Sequence, residues 1–387
     1  MPGQDLRLRP ISMPAERLAF LRFQWDVYRG DAPWAPPLLN ERAAFLDPSR
    51  NPSFGHLDCQ LFVAEREGRI VGTIAAFVNR RFNEIHGERT GFFGFFETIP
   101  EFEVAEALLA TAGEWVKARG MTTLRGPCSF GILDQWGMLV EGFDLAPAFQ
   151  MPYNPPHYPE FLERLGFVKA HDFLAYTISL EAFGDTRERA PSKLLWIAER
   201  VHNRGEIVLR GVRMDRFDED AKIFQAIYNE AFRDHWGFEP LSDEEIEYKA
   251  AGLRQVIDPA TAFVAEVEGK PVGLVLALPD LNQALRPAYP RPGVPEWWTL
   301  AKLLWHWKVR RRVRALHVYV LGVTGPWRLQ GVDALLAFKV GRSALQRGYT
   351  DLELSWVSES NTVMDRTITM LGGRASKRYR IYEKELA

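Results

Sequence analysis

A chain of 387 residues, 47% apolar and 25% charged, holds enough material for two hydrophobic cores and is not composed like a disordered protein. Its net charge of -2 and pI near 6.5 give no overall attraction for nucleic acid, so no such partner is expected. Cys59 and Cys128 lack neighbours at ligand spacing, so neither a disulfide framework nor a metal site is expected. The first ten residues carry no apolar leader core, and no run of about 18 apolar residues follows, so the expected location is the cytoplasm.

Taken in chain order, Phe62–Gly72 (FVAEREGRIVG) and the apolar run Ile74–Val78 predict a β-hairpin about a Glu-Gly turn. An aromatic strand, Phe92–Phe96, ends at Glu97, a carboxylate expected to project into a cleft between the two halves of the chain. An amphipathic helix then closes at Gly120, a left-handed C-cap, before the strand of RGMTTL. Asp134, Gln135, Trp136, Tyr153, Asn154 and His157 lie in a long polar and aromatic segment and are candidates for an acceptor wall. MPYNPPHYP within it also reads as a rigid proline turn. Residues 181–204 are charged and read as a linker leading into a helix over 191–203. The strand IVLRGV and a helix over 218–233 follow.

The hairpin then returns. Phe263–Gly273 reads FVAEVEGKPVG, identical to the first copy at eight of eleven positions and offset by 201. RGYTDL from Arg347 repeats RGMTTL from Arg119 at offset 228, and LGG at Leu371 repeats LGF at Leu165 at offset 206. Three anchors in one order imply a duplication, and the changing offset places insertions. The expected organisation is an N-terminal domain over 1–185, a linker helix over 186–205 and a C-terminal domain over 206–387. The last carries a Trp-rich insertion at about 281–314. Each half is a mixed α/β (α+β) sheet.

In that insertion Trp297, Trp298, Trp305 and Trp307 precede and adjoin Lys308, Arg310, Arg311, Arg312 and Arg314. On a helix, Thr299, Lys302, His306 and Arg310 share one face, and leucines and tryptophans fill the rest. A Trp/Leu side with cations at its end is the pattern of an interfacial helix, so peripheral contact with the inner membrane is expected through 296–314. The alternative is a helix packed across the domain interface.

The order of these elements resembles the GNAT acyltransferase superfamily. FVAExEGxxVG is similar to its second and third strands, RALHVYVLGV to its fourth, and Asn361–Gly373 (NTVMDRTITMLGG) to its N…LGF helix. FFGFFE at Phe92–Glu97 and MPYNPPHYP resemble motifs of a bacterial tandem-GNAT family, with a ceramide-synthase-like member among the possibilities. The resemblance implies two tandem GNAT-like domains and an acyl-CoA or acetyl-CoA cosubstrate without a metal. Arg328-Leu329-Gln330-Gly331-Val332-Asp333 matches the diphosphate loop, with Asp333 in place of the last small residue. Small residues at a helix N-terminus admit a phosphate to backbone N–H groups. The first-half counterpart, Glu97 to Glu103, has three carboxylates and no glycine, so no cofactor site is expected there.

The resemblance further implies that Val320, Leu321, Gly322 and Val323 line the thioester, an N–H of Val320 or Leu321 meeting its carbonyl oxygen, and that Asn361 faces the CoA arm. Glu359 is the favoured base, with Glu353 and His317 behind it and Glu97 as an outside candidate. The superfamily's thiolate-protonating tyrosine falls at Ile368, which leaves Tyr319, His317 or water for that step. Two readings follow for an enzyme: N-acylation of an amphiphilic long-chain amine at a membrane surface, or acetylation of a small amine or peptide. A third is a non-catalytic acyl-CoA sensor.

Overall fold

Both Glu-Gly turns place two consecutive residues at positive φ: Glu67 at 52° and Gly68 at 73°, Glu268 at 51° and Gly269 at 75°. This is type I′ geometry, whose twist matches that of the strands it joins, so the duplicated hairpins form as the sequence predicts. The computed structural model describes residues 6–183 and 206–387. The expected linker helix falls outside the described residues.

The chain divides into two compact units that do not follow its sequence halves: Met1–Phe173 with Leu285–Trp305 and Lys377–Ala387, and Leu174–Ala284 with His306–Ser376. In the first, the order is β1 (Arg7–Ile11), α1 (Pro14–Arg22), α2 (Gln24–Val27), α3 (Leu39–Phe45), β2 (Leu57–Arg66), β3 (Arg69–Asn79) and α4 (Arg80–His86). Then come β4 (Thr90–Thr98), α5 (Phe102–Lys117), β5 (Thr123–Gly126), β6 (Met138–Glu141), α6 (His157–Arg164) and β7 (Val168–Ser179), whose end from Leu174 belongs to the second unit. Strands β1 to β5 lie in sequence order; β4–β5 is parallel and the other pairs are antiparallel. Helix α5 presents Val104, Leu108, Ala112 and Val116, one residue per turn, to Phe62, Ala64, Ile74 and Phe93 of the sheet.

The second unit runs β8 (Ile207–Gly211), α7 (Phe217–Ala231), α8 (Asp243–Val256), β9 (Ala262–Val267), β10 (Lys270–Pro279) and α9 (Asn282–Ala288). Helix α10 (Glu296–Leu304) follows in the chain but belongs to the first unit; the second resumes with β11 (Ala315–Val323), α11 (Val332–Gln346), β12 (Asp351–Ser358), α12 (Thr362–Met370) and the start of β13 (Arg374–Glu385), whose end from Lys377 belongs to the first unit. The second unit's strand order is β7-β12-β11-β10-β9-β8, with β11–β12 parallel.

Two segments expected in the C-terminal domain are in the first unit. The terminal YRIYEKEL pairs with β5, Tyr382 opposite Gly126 and Glu385 opposite Thr123, and with β6. The physical reason is an open strand edge and charges set to receive it. Arg125 of β5 bonds Glu383 at 2.8 Å, and Arg380 bonds the buried Asp172 at 2.8 Å. The insertion is tied down likewise: Trp25 Nε1–H donates to the Pro290 carbonyl at 2.7 Å and Arg286 to that of Ala32. Among the described residues no helix is long and apolar enough to cross a membrane.

Candidate active site

In the second unit the expected fourth and fifth strands begin in register and then part. Ala315 to Val318 pair with Asp351 to Leu354, but β11 continues to Val323 and β12 to Ser358 without further pairing to each other. At the start of this wedge the β10 register slips: Leu276 faces Val320 and Ala277 faces Val318, leaving Tyr319 as the extra residue of a bulge. A bulge turns backbone groups out of the ladder, which is what an N–H donor aimed into a wedge requires. Tyr319 packs edge-on against His317, and His317 is level with Glu353 on β12. Glu353 accepts a hydrogen bond from Ser355 Oγ at 3.0 Å.

Beyond β11 the loop 324–331 leads into α11. Gly331 is its N-cap at φ 84°, and the first helical acceptor bond is from Leu335 N–H to the Gly331 carbonyl at 3.0 Å. Helix geometry therefore leaves the amides of Val332, Asp333 and Ala334 directed out of the helix end, a ready anion cradle. Asp333 sits in the first turn and makes no cap bond, contrary to the capping role its residue type suggests. Arg328 is turned back to the carbonyls of Val323 and Ala231, where it staples the loop to the end of α7. Leu329, at φ 61°, is almost fully exposed, and Gln330 bonds the Pro326 carbonyl.

Other sequence candidates are placed elsewhere. Asn361 caps α12, accepting from Met364 N–H at 3.1 Å. Ile368 is buried in the core beside Gly373. Glu359 is exposed in the turn after β12, six residues and so about 20 Å of strand from Glu353. Three residues of the expected acceptor wall hold the fold: Trp136 is buried and bonds the Ser129 carbonyl, Asn154 bonds the Leu139 backbone, and Asp134 accepts from Gly131 N–H. Sequence reading missed an apolar pocket lined by Phe217, Phe224, Ile246, Leu253 and Leu276. The signal was present as apolar residues seven apart on α7 and α8. Leu274 to Leu276 of its floor face Val320 to Gly322, so the pocket lies one strand from the bulge.

The corresponding wedge of the first unit is closed. After three β4–β5 pairs the chain stays alongside, Cys128 N–H donating to the Phe93 carbonyl at 2.8 Å. Gly94 and Gly126 permit this approach; a Cβ on Gly94 would sit 1.8 Å from the Cys128 carbonyl oxygen. The exit from β4 repeats that from β11, Ile99 N–H bonding Val71 as Thr324 N–H bonds Val272. There the likeness stops, since Glu101 is the N-cap of α5 and is paired with Arg66.

Glu97 is buried in the first unit. Its carboxylate accepts from Gln24 Nε2 at 3.1 Å, Tyr28 Oη at 2.9 Å and Tyr158 Oη at 3.0 Å. Burial pushes its pKa up to about 7, against these three donors, which pull it down. Each hydroxyl has a second acceptor at 3.1 Å, the carbonyls of Tyr153 and Thr98, so protonating Glu97 leaves neither hydroxyl unsatisfied. A folded pKa above the ordinary 4.5 means that folding takes up a proton between about pH 4.5 and pH 7. Stability contributed by protonated Glu97 is therefore full below that window and falls as pH rises through it, by at most about 1.4 kcal/mol per unit. Urea unfolding at about pH 5 and pH 8 should show wild type losing roughly 2–3 kcal/mol more than Glu97→Gln. Equal losses would show that Glu97 ionises as freely folded as unfolded.

These strands, bulge and helix N-terminus define the class: a tandem GNAT-fold protein. The chain is similar, at TM-score 0.53 and 15% identity over 99% of both chains, to a tandem GNAT protein from the clavulanic acid biosynthesis pathway. It is similar, at TM-score 0.52 and 18% identity over 100% of this chain and 97% of the other, to a GCN5-related N-acetyltransferase from Sphaerobacter thermophilus. No protein-family model matches. In sequence it is 34% identical over 99% of its length to the bacterial ceramide synthase of Caulobacter vibrioides, covering 98% of that protein. It is 33% identical over 95% of its length to YghO of Escherichia coli K12, covering 92%. The chain belongs to the family of tandem GNAT proteins that these two relatives represent, and acyl transfer is the chemistry that fold and family support.

Proposed function

We propose that the protein is an acyl-CoA-dependent N-acyltransferase whose acceptor is an amine with a long hydrocarbon chain. The observation that carries this reading is the open wedge at the Tyr319 bulge, one strand from an apolar pocket. The name of the Caulobacter relative, a ceramide synthase, supports the same substrate class. The cosubstrate supplies the activated acyl group as a thioester. On this reading the N-terminus of α11 and Gly331 hold its diphosphate, Val320 or Leu321 N–H faces the carbonyl oxygen, and the zipped first wedge holds no cofactor.

His317 is then the base that takes the ammonium proton through water, with Glu353 level with it as the stabilising charge, and Tyr319 the proton source for the thiolate. Glu359, at the open end of the wedge, borders the CoA arm. His317→Gln should lower kcat by about 10²-fold with CoA affinity near wild type. An unchanged kcat would move the proton to Glu353 or Glu359. The reading as a whole is tested by thiol release with acyl-CoAs of two to sixteen carbons against long-chain and short amines. A kcat/KM greatest for the long-chain amine is expected. Equal use of short amines would return acetylation of a small amine to first place, and no release with any amine would leave an acyl-CoA-binding protein without transfer.

A further inference from the structure

Helix α10 is amphipathic in the wrong direction for a protein that is finished in water. At 100° per residue, Trp297, Trp298, Leu300, Leu304 and Trp305 fall within an arc of about 160°. All five are exposed, Trp297 by 68% and Trp305 by 53%. The opposite side is turned inward, with Thr299 and Leu303 buried. The polar strip expected from Thr299 through Arg310 is thus neither outward nor continuous, because the helix loosens into a π turn at Trp305–Val309 and the chain turns at Arg311, φ 48°. Glu296 fixes the helix start by accepting Asn40 N–H at 3.3 Å, while Pro290 and Arg286 anchor the approach to it. The outward apolar face is therefore held in place by its supports.

A contiguous exposed apolar face of this kind marks a contact surface. The chain runs from it directly into Lys308, Arg310, Arg311 and Arg312, all exposed, so the charged side chains that follow the helix in the chain are cations. Tryptophans and leucines seat at the boundary of headgroups and acyl chains, and flanking cations bind anionic headgroups. We propose that the outer face of α10 is a membrane-docking surface whose partner is an anionic bilayer. The inference stands apart from the acyl-transfer reading, since binding is measured without substrate.

Flotation of the full chain with vesicles of phosphatidylglycerol and phosphatidylcholine tests it, with pure phosphatidylcholine as the comparison. Wild type should float with the anionic vesicles, with a blue shift of tryptophan emission. Replacing Trp297, Trp298 and Trp305 with Ser should cut binding at least tenfold without lowering the melting temperature, because these side chains are exposed. Should the triple variant not fold, Trp297→Ser alone should reduce binding. Changing Lys308, Arg310, Arg311 and Arg312 to Gln should remove the preference for anionic vesicles, as should high salt. Wild type left in solution with anionic vesicles would overturn the proposal. So would a dimer in sedimentation that the triple variant converts to monomer, since the face would then cover a second copy.

Discussion

Gly331→Glu is expected to abolish CoA binding, lowering affinity by more than 100-fold. Two effects coincide at this residue. Its φ of 84° lies in the left-handed region, where a side chain costs about 1–2 kcal/mol. The carboxylate would also stand at the amides of Val332 and Asp333, repelling the diphosphate proposed to bind at this helix end. Gly331→Ala separates them, since it keeps the strain without the charge and should lose only part of the affinity. Glu101→Ala, at the corresponding junction of the first unit, should leave affinity within twofold, its ion pair with Arg66 being a surface contact of little weight. Calorimetry with CoA reads all three. Binding intact in Gly331→Glu but lost in Glu101→Ala would place the cofactor in the other half.

The second large effect belongs to Gly94 in FFGFFE. A methyl group there would lie 1.8 Å from the Cys128 carbonyl oxygen and 2.8 Å from its carbon, both backbone atoms. Neither strand can yield without breaking the Cys128 N–H to Phe93 bond that closes the wedge. Gly94→Ala should therefore destabilise the first unit by more than about 3 kcal/mol, seen as a large drop in urea midpoint or as failure to fold. Gly68→Ala is the control. That glycine has positive φ but open space around it, so only about 1 kcal/mol is expected. A Gly94→Ala protein as stable as wild type would mean that the first wedge can open, and with it the possibility of a second thioester site.

Local chemistry was legible in the residues. FVAExEG is a hairpin in both copies because Glu-Gly is a turn wherever it joins two apolar runs, and Gly120 and Gly348 end their helices at φ 81° and 86° as left-handed caps. The loop proposed for the diphosphate could be picked out because helix N-terminus, glycine and preceding strand are adjacent in the chain. Side-chain roles were read less well, even within that loop. Arg328 matched by position but is turned back to two carbonyls, and Asn361 matched but caps α12. A motif records which residue stands at a position, whereas its direction depends on which acceptors the fold brings near. The partners of Glu97 show the same limit: Gln24, Tyr28 and Tyr158 come from two helices far apart in the sequence.

By itself the sequence determined the duplication, the mixed α/β class, the turn and cap positions and the half that carries a glycine at the strand-to-helix junction. All of these rest on contacts between near neighbours or on the period of apolar residues. Only the tertiary structure decided which wedge is open, because that depends on whether the chain after the fifth strand stays beside the fourth, as Cys128 does, or leaves it, as β12 does after Leu354. It also decided that the closing strand and residues 285–305 of the Trp-rich insertion complete the first unit, the strand because an open edge accepts a segment that brings matching backbone and charge. The outward face of α10 belongs to the same class of fact. Periodicity shows that a helix has two faces; which one is buried is set by what it packs against.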